Sequence, residues 1–238
     1  MNIARKTGLF RNSSSRRCAA LKLGRVLLLG LLTLMNGCFS FTRDPIIHHS
    51  INYPLPVFDT AAPLAETLMV YRFLVSPAVN TQYLVVKKTQ GKKKSVSQYP
   101  WNSNPAEMIT DLLQRDLVGA GLFKKTLGQF SAEPYRFALE GRINQLAGQV
   151  INGKPTALVD VEVVLIDFDA PFGNESTLLK KRYKIATPCK KTDPDAIVEG
   201  INQGLLDLSQ RLMGDVRALL EKPSTEERDD GRFSENRE

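Results

Sequence analysis

The sequence has few of the residues on which common catalytic mechanisms rely. Its only two histidines are the adjacent His48 and His49, and neighbouring side chains of an extended segment point to opposite sides, which makes them a poor metal pair. No further histidine is available to activate a serine or cysteine nucleophile. The chain also contains no G-x-S-x-G motif and no phosphate-binding loop. We therefore expect no enzymatic activity, no metal site and no cofactor.

Long apolar runs are also missing. A membrane-spanning helix needs about 20 apolar residues, whereas the run that begins at Val26 follows directly after Arg25 and extends only to Met35. Residues 1–25 carry seven basic residues and no acidic one. A basic leader followed by a short apolar run is typical of an export signal. The sequence therefore predicts a signal peptide over residues 1–37.

The end of this signal resembles that of bacterial lipoproteins. Gly37 precedes Cys38 as a small residue should, while Met35 and Asn36 stand where Leu and Ala or Ser are usual. The resemblance implies cleavage before Cys38 and attachment of diacylglycerol and an acyl chain such as palmitate to that cysteine. The alternative is that Cys38 is a buried thiol at the start of a domain.

Removal of the leader changes the charge of the protein. The whole chain has 32 basic and 25 acidic residues, and its net charge of +7 by itself suggests nucleic acid or an acidic membrane as a partner. Residues 1–37 contain seven of the basic residues and none of the acidic ones, so 25 of each remain. The chain also lacks the spacing of cysteines and histidines that is typical of a zinc finger. We expect no nucleic-acid binding.

Cysteine is scarce in the mature chain as well. Cys18 leaves with the signal and Cys38 is acylated, so Cys189 remains alone and cannot form an internal disulfide. The fold must then be held by an ordinary apolar core. Cys189 beside Lys190 and Lys191 is either a reactive thiol of low pKa or, as is more common, a small buried apolar residue.

Residues 38–65 are predicted to form an extended tether. Four prolines in this segment disfavour helix and push the residues before them towards extended conformations. His48 and His49 fall within it and are expected to be solvated. The tether would hold the folded domain away from the membrane.

The folded domain is predicted to begin at Glu66 with strands. Leu68 to Val75 is rich in β-forming residues, and Tyr83 to Tyr99 has the pattern of a hairpin. The tip of this hairpin contains Lys92, Lys93 and Lys94. These lysines either contact lipid headgroups or an acidic partner, or they form a solvated turn that protects a sheet edge.

A helix is predicted to start at Pro105. Asn104 can cap it, Glu107 is placed to return to the cap amide, and Gly119 and Gly121 supply the stop. Trp101, the only tryptophan, precedes this helix. Its ring either contacts a ligand or partner or packs in the core at the junction of strand and helix.

Three strands with period-two patterns follow, over Tyr135–Val150, Ala157–Phe168 and Leu178–Thr187. Their short connections predict an antiparallel meander. Asp167 and Asp169 lie at a strand end beside a turn, where aspartate commonly makes local hydrogen bonds, so we do not assign them to catalysis.

A second long helix is predicted from Pro194 to Leu220, with Gly204 in its apolar stripe allowing close approach to the sheet. Residues 222–238 are mostly charged or polar and are expected to be disordered. The predicted fold is a single α+β domain over residues 66–221, with an antiparallel sheet of about five strands packed on two main helices.

The order of these elements resembles the ABC-type transport auxiliary lipoproteins, the family that includes paraquat-inducible envelope lipoproteins and partners of MCE-type lipid transporters. The resemblance covers about Glu66 to Leu220. The residues that carry it are Tyr99, Trp101, Pro105, Phe123, Tyr135, Leu139 and Gly141.

The resemblance implies a non-enzymatic accessory protein, anchored through Cys38 and contacting a permease, an ATPase and an MCE-type substrate-binding protein; a homo-oligomer is also possible. Phe39 follows the cysteine where an aspartate would retain many lipoproteins at the inner membrane. This favours the periplasmic face of the outer membrane. The alternative is an outer-membrane assembly or structural lipoprotein unrelated to transport.

Overall fold

The computed structural model describes residues 46–58, 62–77, 79, 81–90, 93–171 and 176–221. The predicted signal peptide, Cys38, Lys92 and the tail 222–238 lie outside these residues. Within them the chain forms eight strands and two helices. Their bounds are β1 (Ala65–Val70), β2 (Leu74–Val75), β3 (Tyr83–Gln90), β4 (Lys93–Pro100), α1 (Pro105–Ala120), β5 (Phe123–Gly128), β6 (Phe137–Ile151), β7 (Lys154–Asp167), β8 (Thr177–Pro188) and α2 (Pro194–Leu220).

The sheet is built around β6, its longest strand at 15 residues. One edge of β6 pairs antiparallel with β7, which pairs antiparallel with β8. The other edge pairs parallel with β1, β2 and β3 in turn, each covering a different part of β6. Strand β5 lies parallel to β1, and β4 forms the predicted hairpin with β3.

The prediction of an antiparallel sheet of about five strands was therefore wrong, because the sheet is mixed and has eight strands among the described residues. The meander β6–β7–β8 and the hairpin β3–β4 are confirmed. The part that the sequence did not predict is the parallel pairing of β1, β2 and β3 with β6 and of β1 with β5. Parallel neighbours are joined by long connections and leave no turn motif in the sequence.

Local signals at the helix ends are confirmed. The Asn104 side chain accepts a 3.0 Å hydrogen bond from the amide of Ala106, and α1 ends at Gly121 with φ of 61°. The Glu107 carboxylate, however, lies 2.7 Å from the Arg72 guanidinium. At α2, the Asp193 side chain accepts a 2.9 Å bond from the amide of Ala196.

Helix α2 packs closely on the sheet, as predicted. A Cβ atom at Gly204 would lie 3.2 Å from Cγ2 of Val159 on β7, and one at Gly200 would lie 2.6 Å from Sγ of Cys189. The second distance is too short for any side chain, so a glycine is required at Gly200 for this helix position. None of the described helices has both the length and the apolar character needed to cross a membrane.

The segment 46–58, hereafter the N-terminal arm, corrects the predicted tether. Residues of this arm pack on the domain, and His49, Ile51 and Tyr53 are all buried. These residues are two positions apart, so their side chains lie on the same side of an extended chain. The prediction of solvated histidines was wrong for His49, and the folded part of the chain begins well before Glu66.

Candidate functional site

The N-terminal arm is held to the end of β4 and to both helices. The amide of His49 donates a 2.9 Å hydrogen bond to the carbonyl of Pro100, and the amide of Asn102 donates a 2.7 Å bond to the carbonyl of His49. Farther along, the amide of Asn52 donates to the side chain of Asn202 on α2 at 3.1 Å. The arm thus forms a parallel bridge beside the sheet and then continues over the helices.

A buried polar cluster fixes the arm in place. Asp116 of α1 is fully buried, and its Oδ2 accepts hydrogen bonds of 2.7 Å from the Tyr53 hydroxyl and 2.6 Å from the Ser209 hydroxyl. Its Oδ1 accepts two bonds from the guanidinium of Arg115, at 2.9 and 2.8 Å. The four bonds compensate the cost of burying the carboxylate. The cluster joins the arm, α1 and α2.

The surroundings of Tyr53 keep its hydroxyl protonated, so that it acts as a hydrogen-bond donor. Burial and the hydrogen bond to Asp116 raise the pKa of Tyr53 above its ordinary value. The Arg115 guanidinium lies 4.9 Å from the centre of the Tyr53 ring and donates a 2.9 Å bond to the Tyr53 carbonyl. This cluster was not predicted, although Asp116 occupies a position in the apolar stripe of α1 beside Leu117. An acidic residue there was a signal that a partner must be buried with it.

The face of the sheet that points away from the buried core, hereafter the outer face, contains a concave site of about 370 Å³. Charged and apolar residues of β2, β6 and β7, together with the segment between β1 and β2, surround it. The lining residues are Tyr71, Arg72, Leu74, Glu140, Gly141, Arg142, Glu162 and Val164.

Aromatic rings border this concave site. The hydroxyl oxygens of Tyr71 and Tyr135 lie 2.5 Å apart, and the Tyr135 ring meets that of Phe168 edge to face at 5.8 Å. The hydrogen bond between the two hydroxyls raises the pKa of Tyr71. Phe168 is 51% exposed and Leu74 is 59% exposed. The outer face therefore combines exposed apolar side chains with charges of both signs, a composition suited to protein contact.

Of the residues predicted to contact a partner or lipid, the structure describes the side chain of Trp101 alone. Trp101 is 5% exposed and lies in the core, so its side chain is not available to a partner on this domain and the alternative of core packing is confirmed. Lys92 and Cys38 lie outside the described residues. Lys93 and Lys94 open β4, but their side chains lie outside the described part of the structure.

Cys189 is partly buried, and burial raises its pKa. The interpretation as a thiol of low pKa was therefore wrong. Its Sγ lies 3.5 Å from the carbonyl of Thr187, next to Gly200. A thiol confined between β8 and α2 fills space in the core, which was the alternative given by the sequence.

The two aspartates at the end of β7 have a structural role, as predicted. Asp167 accepts bonds of 2.9 and 2.7 Å from Arg136 and a third from the amide of Asp169. The bond from Arg136 lowers the pKa of Asp167. Across the described parts of the chain, no group of three or more histidines, cysteines, aspartates or glutamates is placed to hold a metal ion.

Comparison with protein families decides the classification. A family model described as "ABC-type transport auxiliary lipoprotein component" matches residues 56–213. The chain belongs to this family. The resemblance stated from the sequence is thereby confirmed, and the match includes the end of the N-terminal arm from residue 56. Comparison with curated proteins returned no match.

Solved structures show the same fold at low sequence identity to this auxiliary lipoprotein. Protein XCC0632 from Xanthomonas campestris is 15% identical, with a TM-score of 0.60 over 73% of this chain and 96% of its own. An uncharacterized protein is 14% identical, with a TM-score of 0.50 over 71% of this chain and 99% of its own. At this identity both structures establish the fold alone.

Proposed function

We propose that this auxiliary lipoprotein is a non-enzymatic, lipid-anchored component of an ABC-type transport system that binds a protein partner through the outer face. The observation that carries this proposal is the exposure of Leu74 and Phe168 around the concave site. Large apolar side chains exposed beside a cavity and rimmed by charges are characteristic of protein-binding surfaces. The family match supports the connection to transport.

The partner that we propose is an MCE-type substrate-binding protein of a lipid transporter, reached from the periplasmic face of the outer membrane. The family resemblance and Phe39 after the lipidated cysteine support this finer proposal. Glu140, Arg142 and Glu162 around the concave site would set the orientation of the partner, since charges at an interface fix register more than affinity.

Affinity purification of the full-length tagged protein tests the binding surface. Leu74→Glu places a charge on the outer face, and Val118→Glu makes the same change on α1 at a residue that is also 59% exposed. We expect Leu74→Glu to lower recovery of the substrate-binding protein about tenfold, which corresponds to about 1.4 kcal/mol, while Val118→Glu retains it. Equal recovery with both variants would contradict the role of the outer face. Recovery of an outer-membrane assembly machine instead of transport components would favour the alternative function.

Metabolic labelling with an alkyne fatty acid tests the anchor. We expect the parent protein to be labelled and Cys38→Ser to lose the label, because Cys38 is the proposed attachment site. Label that persists in Cys38→Ser, or none in the parent, would contradict lipid anchoring. Separation of inner and outer membranes from the same cells then identifies the membrane that holds the protein.

A further inference from the structure

The concave site of the outer face is lined by four charged residues, and only two of them are paired within the protein. The Arg72 guanidinium lies 2.7 Å from a glutamate of α1, and the Glu162 carboxylate lies 3.9 Å from a lysine of β8. The other two, Glu140 and Arg142, are exposed and form no ion pair among the described residues. One acidic and one basic side chain are therefore left available to a partner.

These two residues form an ordered pair of opposite charges along β6. Because Glu140 and Arg142 are two positions apart in one strand, their side chains stand on the same face, separated by about 6.6–6.8 Å along the strand. Leu74 of β2 is in register with Arg142, and Val164 of β7 is in register with Glu140. Side chains in register point to the same face of a sheet. Each unpaired charge thus has an apolar neighbour.

The spacing of the charge pair matches one turn of an α-helix. Helical residues four apart are separated by about 6 Å along the axis and lie on the same face, which is close to the separation of Glu140 and Arg142 along β6. A helix that lies along β6 can therefore place an acidic residue at Arg142 and a basic residue at Glu140. A single extended segment, in contrast, joins a sheet at an edge, where its backbone is hydrogen-bonded, and not on a face.

The width of a helix also fits this face better than a second copy of the protein does. A helix is about 10–12 Å across and strands are about 4.7–4.9 Å apart, so the helix covers β2, β6 and β7. The ion pairs between β7 and β8, which join Arg182 to Asp160 at 2.6 Å and Lys180 to Glu162, then lie at its rim. A second copy packed face to face would bury these pairs, and the desolvation of an ion pair can exceed its attraction.

We propose that the outer face binds an amphipathic α-helix of the partner protein, which lies along β6 with an acidic residue at Arg142 and a basic residue one turn away at Glu140. Apolar side chains of the helix contact Leu74 and Val164. The order of the two charges fixes the direction of the helix, since charges at an interface set register. This inference rests on the proposed function, because it needs a protein partner at the outer face, but not on that partner being a substrate-binding protein.

Photocrosslinking in cells identifies the segment that occupies the outer face. The full-length protein carries p-benzoylphenylalanine in place of Leu74, or in place of Val118 as the control, and mass spectrometry gives the sequence of the crosslinked peptide. We expect position 74, but not position 118, to crosslink a segment that has an acidic and a basic residue three or four positions apart beside apolar residues. A second copy of this chain, a lipid, or a segment without such a pair at position 74 would overturn the inference.

A charge exchange tests whether the pair is recognised. Glu140→Arg with Arg142→Glu reverses the order of the charges and keeps the net charge, and Glu162→Lys with Lys180→Glu does the same for a pair that is joined within the protein. The probe is a synthetic peptide of the crosslinked segment, titrated with the mature full-length protein. We expect the first exchange to weaken binding about tenfold, because like charges then face each other, and the second to change it less than about twofold. The peptide should gain helical circular dichroism on binding.

A peptide with its own acidic and basic residues exchanged completes the test. It should bind the variant with Glu140→Arg and Arg142→Glu as strongly as the original peptide binds the parent, a rescue that general damage to the surface cannot produce. If the exchange lowers the urea midpoint, Arg142→Gln takes its place and should weaken binding of the original peptide about threefold, the effect of one lost surface ion pair. Unchanged binding or absence of rescue would overturn the helix alone. Failure of position 74 to crosslink any protein would contradict the proposed function itself.

Discussion

The Tyr53 hydroxyl donates a 2.7 Å hydrogen bond to Asp116, a carboxylate that is fully buried between the two helices. The bond connects a segment that precedes the sheet to the helical layer. Through it, the position of the N-terminal arm depends on a polar cluster inside the domain. The strength of this contact therefore determines how firmly the arm is held on the domain.

Removal of the Tyr53 hydroxyl should loosen the arm. In Tyr53→Phe the buried Asp116 carboxylate keeps Ser209 and Arg115 but loses one of its donors, and a hydrogen bond to a charged group contributes about 1.5–3 kcal/mol. We expect a lower free energy of unfolding in urea and faster hydrogen exchange over residues 49–53. Tyr99→Phe is the matched control, because no hydrogen bond to that hydroxyl is seen among the described residues. Equal stability of the two variants would show that the cluster does not hold the arm.

The helix ends could be predicted because their signals are local. Asn104 and Asp193 cap helices within three residues of themselves, so the pattern alone identifies them. The cluster at Asp116 could not be predicted in full, because Tyr53 and Ser209 are distant in the sequence. The buried arm was missed for a related reason. Its prolines indicated extended chain correctly, but extended chain can be solvated or packed.

A glycine in β6 should be intolerant of substitution. A Cβ atom at Gly141 would lie 2.2 Å from Cε2 of Phe73, a ring that is itself buried. We expect Gly141→Ala to lower the free energy of unfolding by about 1–3 kcal/mol, the usual cost of overpacking a core.

Gly214→Ala is the control for that substitution. A Cβ atom at this helical glycine would have no heavy atom of another part of the described chain within 4 Å, and alanine in a helix is favoured over glycine by about 0.5–1 kcal/mol. Urea denaturation followed by circular dichroism should show the two variants moving in opposite directions. A stable Gly141→Ala protein would mean that Phe73 can be displaced without cost.

The ion pair at the end of β7 should make stability depend on pH. Arg136 lowers the pKa of Asp167 from its ordinary 3.8, so the pair contributes stability above that value and loses it as the pH falls through the lower, folded value. We expect Arg136→Gln to reduce the urea midpoint near neutral pH and to match the parent in strong acid. Arg211→Gln, which breaks an exposed pair with Asp207 within α2, should change little at either pH.

The parallel half of the sheet shows the limit of pattern analysis. Met69 of β1 pairs with Ala138 of β6 and with Leu127 of β5, so strands from three separate parts of the chain meet. Strand β5 itself was not predicted, because its residues FKKTLG alternate weakly. Its position depends on burial beside β1, which only the assembled sheet provides.

The partly buried thiol of Cys189 should react slowly. Burial raises its pKa, so at about pH 8 it holds less thiolate than a free cysteine, and the thiolate is the reacting species. We expect maleimide or disulfide reagents to label the folded mature protein more slowly than a cysteine peptide, and to label it at the peptide rate in urea. If Cys38 is acylated, the unfolded mature chain should titrate as a single thiol, and Cys189→Ser should abolish the signal. Labelling of the folded protein at or above the peptide rate would restore the interpretation of Cys189 as a reactive site.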